Sequence, residues 1–483
     1  MKKLTTYVLI SIFSLVALQS CYKDKGNYSY NDINEITISS AASSYNVMVP
    51  DSLKIDITLH QTQPHPDGLT FQWVLYPSTA APLTRRTIGT TQNLRAAITE
   101  DPGPYVLDFF VKDKKTGVEF QKKFAVNVLT ALSEGWIVVE EKNNACDLHL
   151  ISPTDAIFKD VYSLGNGGQK LPAGTFRIPD IKTNRNIQSI YILSPSDMVY
   201  VNFANFLKVS SFNDFFFEAP PLRKPQEYFL NGDQEAMLNN GKPYGRNLNG
   251  PGSIKLNLPP VGNYYMAPFE IYSIPTNYIW YDTIGQRFYR QDAGNFNLLT
   301  FPSDPSDPFD MNNIGKRLLY VEVNTVGATF QYFAFFKNNN DDSLFAYNFK
   351  NTAPRPPVAV YSGLNAPGMQ TAKYFVMSRS LPYLYYASGN NIYKLDILAK
   401  TAAPIYTFPA GTEIRAMKMY RNMKTSADPN NNKRIAVATL EGGTQGKVYY
   451  FQISATGAFE NNTYSKLFDG FGKINEITYK SLK

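Results

Sequence analysis

The feature that most constrains the fold is a unit of two apolar strands joined by a polar turn, which recurs along most of the chain. Seven such units follow residue 131, at 135–152, 187–202, 227–244, 278–290, 331–349, 373–397 and 433–454. Each has two strand-length apolar or alternating runs, separated by Asn, Asp, Gly or Ser residues that favour turns. Because one hairpin cannot bury its faces alone, repeated hairpins must pack on one another. The pattern therefore predicts an array of β-sheets.

The length of this array predicts a ring of about seven sheets. Residues 131–483 provide one unit for roughly every 45 to 50 residues, which is the size of a four-stranded propeller blade. The clearest unit, "LPYLYYASGNNIYKLDI", turns at Gly389 and Asn390. A lone apolar alternation at 473–479 has the form of a strand that closes such a ring. We expect a β-propeller of about seven blades at 131–483, closed by the strand at 473–479.

Short strands also fill residues 33–130. The stretch "GLTFQWVLYPS" places Trp73 on a central strand, and "PGPYVLDFFVKD" with "FAVNV" predicts a closing hairpin that turns at 114–117. Several strands in so short a span predict a β-sandwich. The chain contains no long segment with the 3.6-residue apolar period of an amphipathic helix, so the expected fold class is all-β.

The N-terminus has the form of an export signal. Lys2 and Lys3 precede an apolar run at 7–18, which is shorter than the roughly 20 residues that span a membrane. The following "LQSC" at 18–21 resembles a bacterial lipobox, in which a leucine lies three residues before a lipidated cysteine. An ordinary secretory signal with a chance cysteine at Cys21 is the alternative.

The lipobox resemblance implies that residues 1–20 are removed as a signal peptide and that Cys21 becomes a lipidated N-terminus. Acyl chains would hold the protein on a bilayer, at ~0.8 kcal/mol per buried methylene. The "YKDKG" that follows looks like the charged export tags of Bacteroidetes surface lipoproteins. Residues 21–32 would then be a lipidated tether, and the expected location is the outer membrane, exposed at the cell surface.

A family resemblance follows from these segments. Trp73, "PGPYVLDFFVKD" and "FAVNV" are similar to immunoglobulin-like modules of the polycystic kidney disease (PKD) type, in which the tryptophan fills the core between two sheets. The order of lipobox, module and propeller-like region resembles the PKD-like family of Bacteroidetes lipoproteins. The resemblance implies a non-catalytic accessory component of a nutrient-uptake system. Its partners would be a TonB-dependent outer-membrane channel, a SusD-like lid lipoprotein, and a glycan or peptide ligand.

The sequence shows no catalytic or metal-binding motif. His60, His65 and His149 fit no zinc pattern, and no nucleophile elbow or phosphate-binding glycine loop occurs. We therefore expect no cofactor, no metal and no enzymatic activity. The alternative is a surface-anchored, glycosidase-like propeller hydrolase. Its carboxylates would come from the acidic residues near strand ends, which are Glu140, Glu141, Asp197, Glu270 and Glu322.

Charge, cysteine and acidic loops suggest no further chemistry. The net charge of +7 is scattered along the chain, which disfavours nucleic-acid binding. Cys146 lies beside an apolar alternation and is expected to be a buried thiol. The acidic segments at 304–313 and 338–343 could supply oxygen ligands to calcium, but ordinary loops are the favoured interpretation because both lack the spacing of a calcium loop.

Two sets of residues are weak candidates for recognition or modification. Exposed aromatic rings could stack on sugars or grip a partner, although propeller blades also need such rings for their cores; the candidates are Tyr278, Trp280 and Phe288. Asp-Ser/Thr-apolar triplets resemble the O-glycosylation acceptor of exported Bacteroidetes proteins, and the candidate acceptors are Ser52, Thr283 and Ser343.

Overall fold

In the computed structural model, nearly all of the regular secondary structure is antiparallel strand. The structure describes residues 33–49, 51–64, 68–78, 84–181, 183–184, 187–249, 255–269, 271, 276–292, 297–324, 330–350, 352, 355–422 and 428–482. In the described ranges, one short helix, α1 (Val161–Gly165), and 3-10 turns at Phe212–Phe215, Met369–Thr371 and Glu460–Asn462 accompany the strands. Within these residues, no helix has the length and apolar character needed to cross a membrane.

The chain divides into two compact units. The first comprises the described parts of Met1–Tyr45, Ser52–Ala97 and Tyr105–Val126, and the second comprises those of Asn46–Asp51, Ile98–Pro104 and Asn127–Lys483. The strands up to residue 129 are β1 (Ile36–Ser40), β2 (Ser44–Met48), β3 (Ser52–Ile55), β4 (Ile57–Gln61), β5 (Leu69–Pro77), β6 (Arg86–Gly89), β7 (Leu94–Ala97), β8 (Gly103–Asp113) and β9 (Glu119–Leu129).

These nine strands form the β-sandwich that the sequence predicts. One sheet has the order β2-β9-β8-β5-β6, while β1 pairs with β4 and β3 pairs with β7. Trp73 on β5 is fully buried, and its ring centroid lies 4.2 Å from that of Phe109 and 5.7 Å from that of Phe124. Its indole nitrogen donates a hydrogen bond to the carbonyl of Thr91 at 2.8 Å. The tryptophan is therefore a core residue with its polar atom satisfied.

Among the described residues, seven sheets follow along the chain, as the recurring hairpins predict. The first contains β10 (Gly135–Lys142), β11 (Ala145–Ile151), β12 (Ile157–Phe158) and β13 (Leu171–Pro172). The second contains β14 (Thr183–Asn184), β15 (Ile187–Leu193), β16 (Met198–Asn202) and β17 (Lys208–Ser211). The third contains β18 (Pro225–Asn231), β19 (Gln234–Asn239) and β20 (Lys242–Asn247), and the fourth contains β21 (Thr276–Asp282) and β22 (Arg287–Asp292).

The last three sheets have four strands each in sequential order. The fifth contains β23 (Arg317–Asn324), β24 (Gln331–Lys337), β25 (Leu344–Lys350) and β26 (Pro357–Ser362). The sixth contains β27 (Tyr374–Met377), β28 (Tyr383–Ser388), β29 (Asn391–Asp396) and β30 (Thr401–Thr407). The seventh contains β31 (Glu413–Met419), β32 (Arg434–Glu441), β33 (Gln445–Gln452) and β34 (Lys466–Phe471).

The C-terminal strand β35 (Lys473–Lys480) joins the end of the array to its beginning. It pairs antiparallel with β10, from Gly135 opposite Lys480 to Glu141 opposite Lys473, and so becomes an edge strand of the first sheet. Its Ile477 is fully buried in a core that combines Trp136 of β10 with residues of the seventh sheet. Pairing with β35 covers the edge of β10 that would otherwise be free. The last strand of the chain thereby closes the ring.

The inner strands of neighbouring sheets pack side by side toward the axis of the ring, and in the first sheet this inner strand is β35. β31 packs beside both β35 and β27, β27 packs beside β23, and β15 packs beside β18. Neighbouring sheets meet through apolar clusters, such as the one that joins the sixth sheet to the seventh. Side chains on the axial edges of these inner strands can therefore meet across the ring, and this arrangement creates the candidate site.

Candidate functional site

Charged side chains from distant parts of the chain meet at the axial edges of the inner strands. Four lie on these strands, and three lie in the segments that lead to or from them. We call this group the inner network; its members are Arg177, Asp180, Glu227 (β18), Glu322 (β23), Lys418 (β31), Arg421 and Glu476 (β35).

Arg177 joins the third sheet to the closing strand. Its Nε and Nη2 atoms lie 2.7 Å and 2.6 Å from Oε2 of Glu227, and its Nη1 donates to Oε2 of Glu476 at 3.4 Å. Lys418 of the seventh sheet approaches the same Glu476 oxygen, with Nζ at 3.6 Å. Arg177 and Glu476 are 299 residues apart in sequence, so their contact exists only because the ring closes.

Arg421 makes a second set of contacts across the ring. Its Nη1 donates to Oδ2 of Asp180 at 3.4 Å, and its Nη2 forms an ion pair with Oε1 of Glu322. The other oxygen of Glu322 accepts hydrogen bonds from the Tyr320 hydroxyl and, at 2.9 Å, from the backbone N–H of Met377. Residues of the second, fifth, sixth and seventh sheets are linked in this way.

Burial and pairing determine the charge states in the network. Burial raises the pKa of Glu227, and the guanidinium of Arg177 opposes that rise. Burial also disfavours the charged form of Arg177, but Glu227 and Glu476 outweigh it and raise the pKa of the guanidinium above its usual value. Arg177 therefore remains a cation that holds two carboxylates.

The buried carboxylates have both oxygens engaged. The second oxygen of Glu227 accepts the N–H of Tyr228 at 3.1 Å, and that of Glu476 accepts the N–H of Ile477 at 2.9 Å. With exposed side-chain fractions of 5% and 8%, these two groups have little access to solvent. A general acid or base must reach a substrate proton, so this arrangement suits orientation of the cations better than proton transfer.

Two of the acidic residues singled out from the sequence lie at the seam between β10 and β35. Glu140 Oε2 is 2.6 Å from Nε2 of His149, and its other oxygen accepts the N–H of Gly472. The N–H of Asp160 donates to Nδ1 of His149 at 3.0 Å, so Nε2 carries the proton that points at Glu140. Burial opposes the ionised form of Glu140, but the bonds from His149 and Gly472 lower its pKa to about 2.

The other acidic candidates are dispersed. Glu141 accepts hydrogen bonds from Asn475 at 2.7 Å and Lys473 at 3.3 Å, which again join β10 to β35. Asp197 accepts the N–H of Met198 at 2.9 Å in a hairpin turn, and Glu270 lies outside the described residues. The four candidates that the structure describes do not form one cluster, and Glu322 is the one of these four that belongs to the inner network.

Most of the inner network was missed by the sequence analysis. A weak signal existed, because Glu227 in "PQEYFL" and Glu476 in "KINEITY" are charges inside strands that are otherwise apolar. A buried charge in such a strand needs a partner. The sequence does not say which of many arginines or lysines provides it, since the partner is brought close only by the ring.

The aromatic candidates are buried, which agrees with the interpretation that they fill the core and not with the alternative of exposed rings. Trp280 is 1% exposed, and its indole nitrogen donates to Oε1 of Gln291 at 3.1 Å. Its ring packs edge-on against Phe229, with centroids 5.3 Å apart. Tyr278 and Phe288 are also buried in apolar clusters. Because sheets in the ring are packed on both faces, these side chains fill the core and have no free face for a ligand.

The remaining candidates lie in surface loops, buried strands or undescribed segments. Ser52, Thr283 and Ser343 are exposed, so their glycosylation stays a prediction, and Cys21 lies outside the described residues. Cys146 is a buried free thiol, as predicted, and burial raises its pKa.

The acidic loops are stabilised by protein cations. In the loop at 304–313, Arg355 pairs with Asp304 at 3.3 Å and with Asp307 at 2.6 Å. In the segment at 338–343, Asp342 pairs with Lys337 at 2.6 Å. Across the described ranges, no group of three or more His, Cys, Asp or Glu side chains could hold a metal ion. These segments are accordingly interpreted as inter-strand loops.

Comparison with known proteins supports the family resemblance. Residues 21–172 match the model of the PKD-like family, which spans the sandwich and reaches β13 of the ring. No curated protein matches the chain.

Similar solved structures share little sequence with this chain. A quinonprotein alcohol dehydrogenase-like protein from Bacteroides thetaiotaomicron is 14% identical, covering 91% of this chain and 97% of its own, with a TM-score of 0.42. The WD40 domain of SCAP from fission yeast is 9% identical, covering 58% and 64%, with a TM-score of 0.34. The extracellular domain of a putative one component system from B. thetaiotaomicron is 12% identical, covering 78% and 50%, with a TM-score of 0.18.

Proposed function

For a chain whose residues 21–172 match the PKD-like family, we propose a role as a lipid-anchored, non-catalytic binding component of a nutrient importer at the outer membrane. The lipid on Cys21 would anchor the protein. The seven-sheet ring would bind the nutrient, a glycan or a peptide, or contact the SusD-like lid of a TonB-dependent channel.

The observation that carries the non-catalytic part of this proposal is the state of the inner network. Glu227 and Glu476 both hold Arg177, and their remaining oxygens accept backbone N–H groups. Glu322 is engaged by Arg421, Tyr320 and Met377. Glycosidases need one carboxylic acid and one carboxylate that both reach the scissile bond. Carboxylates committed to internal partners support binding over hydrolysis.

The surface address rests on the N-terminal sequence. The match to the PKD-like family begins at residue 21, which is the cysteine that the lipobox resemblance would make the first residue of the mature chain. A short charged segment then precedes β1. Both features support a tethered, exported protein.

Affinity purification from gently solubilised outer membranes tests the accessory role. A tagged chain is expected to co-elute with a TonB-dependent channel and a lid lipoprotein, both identified by mass spectrometry. The matched control is Cys21→Ala, which should lose acyl-label incorporation and co-purify far less of both subunits. Elution of the wild-type chain without any importer subunit would refute the accessory role.

Hydrolysis is the competing outcome. The purified chain is incubated with neutral and acidic polysaccharides and with peptides, and the products are followed by mass spectrometry. Reproducible cleavage that Glu322→Gln abolishes would replace the binding role with the glycosidase-like alternative.

A further inference from the structure

Large apolar side chains are exposed around the outer hairpin of the third sheet, which consists of β19 and β20. Phe217, Leu222 and Leu258 have exposed fractions of 76%, 54% and 80%, and Val261 is fully exposed. A lone exposed leucine is ordinary on a protein surface, whereas a contiguous group of large apolar side chains marks an interaction site. We call these four residues the apolar rim.

Two members of the apolar rim lie on segments that run side by side. Leu256 forms a parallel bridge with Phe216, so Phe217 and Leu258 follow that bridge in the same direction. The N–H of the residue after Leu256 donates to the carbonyl of Gly245 on β20 at 2.9 Å. This bond fixes both segments beside the hairpin.

The other two members lie near the turn between β19 and β20. Asn239 at the end of β19 donates from Nδ2 to the carbonyl of Leu222 at 2.8 Å. Lys242 at the start of β20 donates from Nζ to the carbonyl of Gly262, the residue after Val261, at 2.9 Å. The four residues therefore belong to one surface around a single hairpin.

The loop at 257–262, which carries two members of the rim, is fixed in place. Pro259 and Pro260 restrict its backbone, and the hydroxyl of the buried Tyr264 donates to the carbonyl of Pro260. The ammonium of Lys242 lies 3.6 Å from the centroid of the Tyr264 ring. These contacts keep the apolar side chains of the loop exposed.

The surface around the rim is positively charged. The segments 212–224, 239–245 and 255–263 contain four cations, which are Arg223, Lys224, Lys242 and Lys255. Within the described part of the chain, none of these four forms an ion pair, and Lys242 and Lys255 donate to backbone carbonyls. The same segments contain two carboxylates, Asp214 and Glu218. Asp282 also acts on Lys242, but it is buried and pairs with Arg287 at 3.9 Å.

Lipid fits this surface better than a protein partner does. A protein would need a matching pocket for each side chain of the apolar rim, and these side chains project from separate segments. The interfacial region of a bilayer is fluid, so it accepts aromatic and branched side chains at any spacing. Cations beside them attract anionic head groups and stay at the level of the phosphates.

We propose that the apolar rim, with Arg223 and Lys224 beside it, docks on a bilayer that contains anionic lipid. This contact goes beyond the proposed importer role and does not depend on it, because it assigns one face of the ring to the membrane itself. A protein partner on the same surface is a separate outcome of the test.

Co-sedimentation with vesicles tests the membrane contact. The chain is used without its expected signal peptide and with Cys21→Ala, so that no lipid anchor masks the contact. The probes are vesicles of phosphatidylcholine alone and of an equimolar mixture of phosphatidylcholine and phosphatidylglycerol. We expect binding to the anionic vesicles that weakens as salt is raised, and much weaker binding to the neutral ones.

Variants locate the surface. Leu258→Ser with Val261→Ser should weaken binding about tenfold or more, because both side chains lose their apolar transfer into lipid. Arg223→Gln with Lys224→Gln should weaken binding to anionic vesicles and reduce its salt dependence, and it tests the surface even if the serine variant folds poorly. The matched control is Leu398→Ser, a leucine with an exposed fraction of 59% in the turn after β29, which should bind as wild type does.

Four results would overturn the inference: no binding of the Cys21→Ala chain to anionic vesicles, equal binding to neutral and anionic vesicles, unchanged binding by both the folded serine variant and the glutamine variant, or an equal loss in Leu398→Ser. If the chain binds no vesicle and the serine variant of the lipidated chain co-purifies fewer importer subunits, the surface belongs to a protein partner. Failure to bind vesicles leaves the accessory role intact. Vesicle binding by a chain that co-purifies with no importer subunit has the opposite consequence.

Discussion

Replacing Glu140 by Gln should lower the free energy of unfolding of the ring by about 3 kcal/mol at pH 7. Glu140 on β10 receives hydrogen bonds from Nε2 of His149 and from the N–H of Gly472, the residue that precedes β35. Burial opposes ionisation, yet these bonds lower the pKa from 4.5 to about 2. A shift of that size corresponds to about 3 kcal/mol of stability when the group is ionised.

The pH dependence follows from the sign of this shift. The pKa is lower in the folded chain than in the unfolded one, so the stabilisation is fully present above the ordinary carboxyl pKa of 4.5. It is lost as the pH falls from 4.5 toward about 2, where the folded group takes up its proton. A glutamine cannot titrate. The difference in stability between wild type and Glu140→Gln should therefore be largest near neutral pH and shrink across that window.

Urea unfolding followed by tryptophan fluorescence measures the loss of stability and its pH dependence, since Trp136 lies on β10 and is buried. Midpoints are taken at pH 7 and at steps down to pH 3, with the slope of the transition checked for constancy. The control is Glu460→Gln, an exposed glutamate of the ring, which should match wild type. A free energy of unfolding of Glu140→Gln within about 0.5 kcal/mol of the wild-type value at pH 7, a typical surface effect, would contradict this role of Glu140. Equal losses of stability by wild type and Glu140→Gln in acid would contradict it as well.

Two further predictions concern the ring. Deleting residues 472–483 removes β35 and leaves β10 with an unpaired edge, so the ring should melt at least about 10 °C lower and aggregate more readily; an unchanged melting temperature by scanning calorimetry would contradict closure by this strand. Trp280→Ala should cost about 3 to 5 kcal/mol, because it empties a buried site. Urea unfolding checks this value, and a loss below about 1 kcal/mol would indicate that the ring of Trp280 is not core.

The fold can be predicted from local sequence patterns, whereas the contacts of the inner network cannot. Alternation along β10 and β35 is visible in the sequence, and so is the polar turn at Gly389, because strand and turn preferences act over a few residues. The contact of Arg177 with Glu476 bridges 299 residues and depends on how many sheets close the ring. Trp280 illustrates a different limit, since an aromatic residue on a strand packed on both faces has the same sequence pattern as one that faces a ligand.

Burying the charged groups of the inner network has a cost in folding free energy. A buried ion pair gains little over apolar residues of similar volume, whereas an isolated buried charge costs about 3 to 5 kcal/mol. If the network only held the ring together, an apolar replacement would serve as well. We therefore expect the double variant Arg177→Met with Glu227→Leu to unfold within about 1 kcal/mol of wild type, since Lys418 still neutralises Glu476.

The single variant Arg177→Met, which strands Glu227, should be much less stable than this double variant. A double variant as unstable as the single one would mean that the ion pair is required for packing.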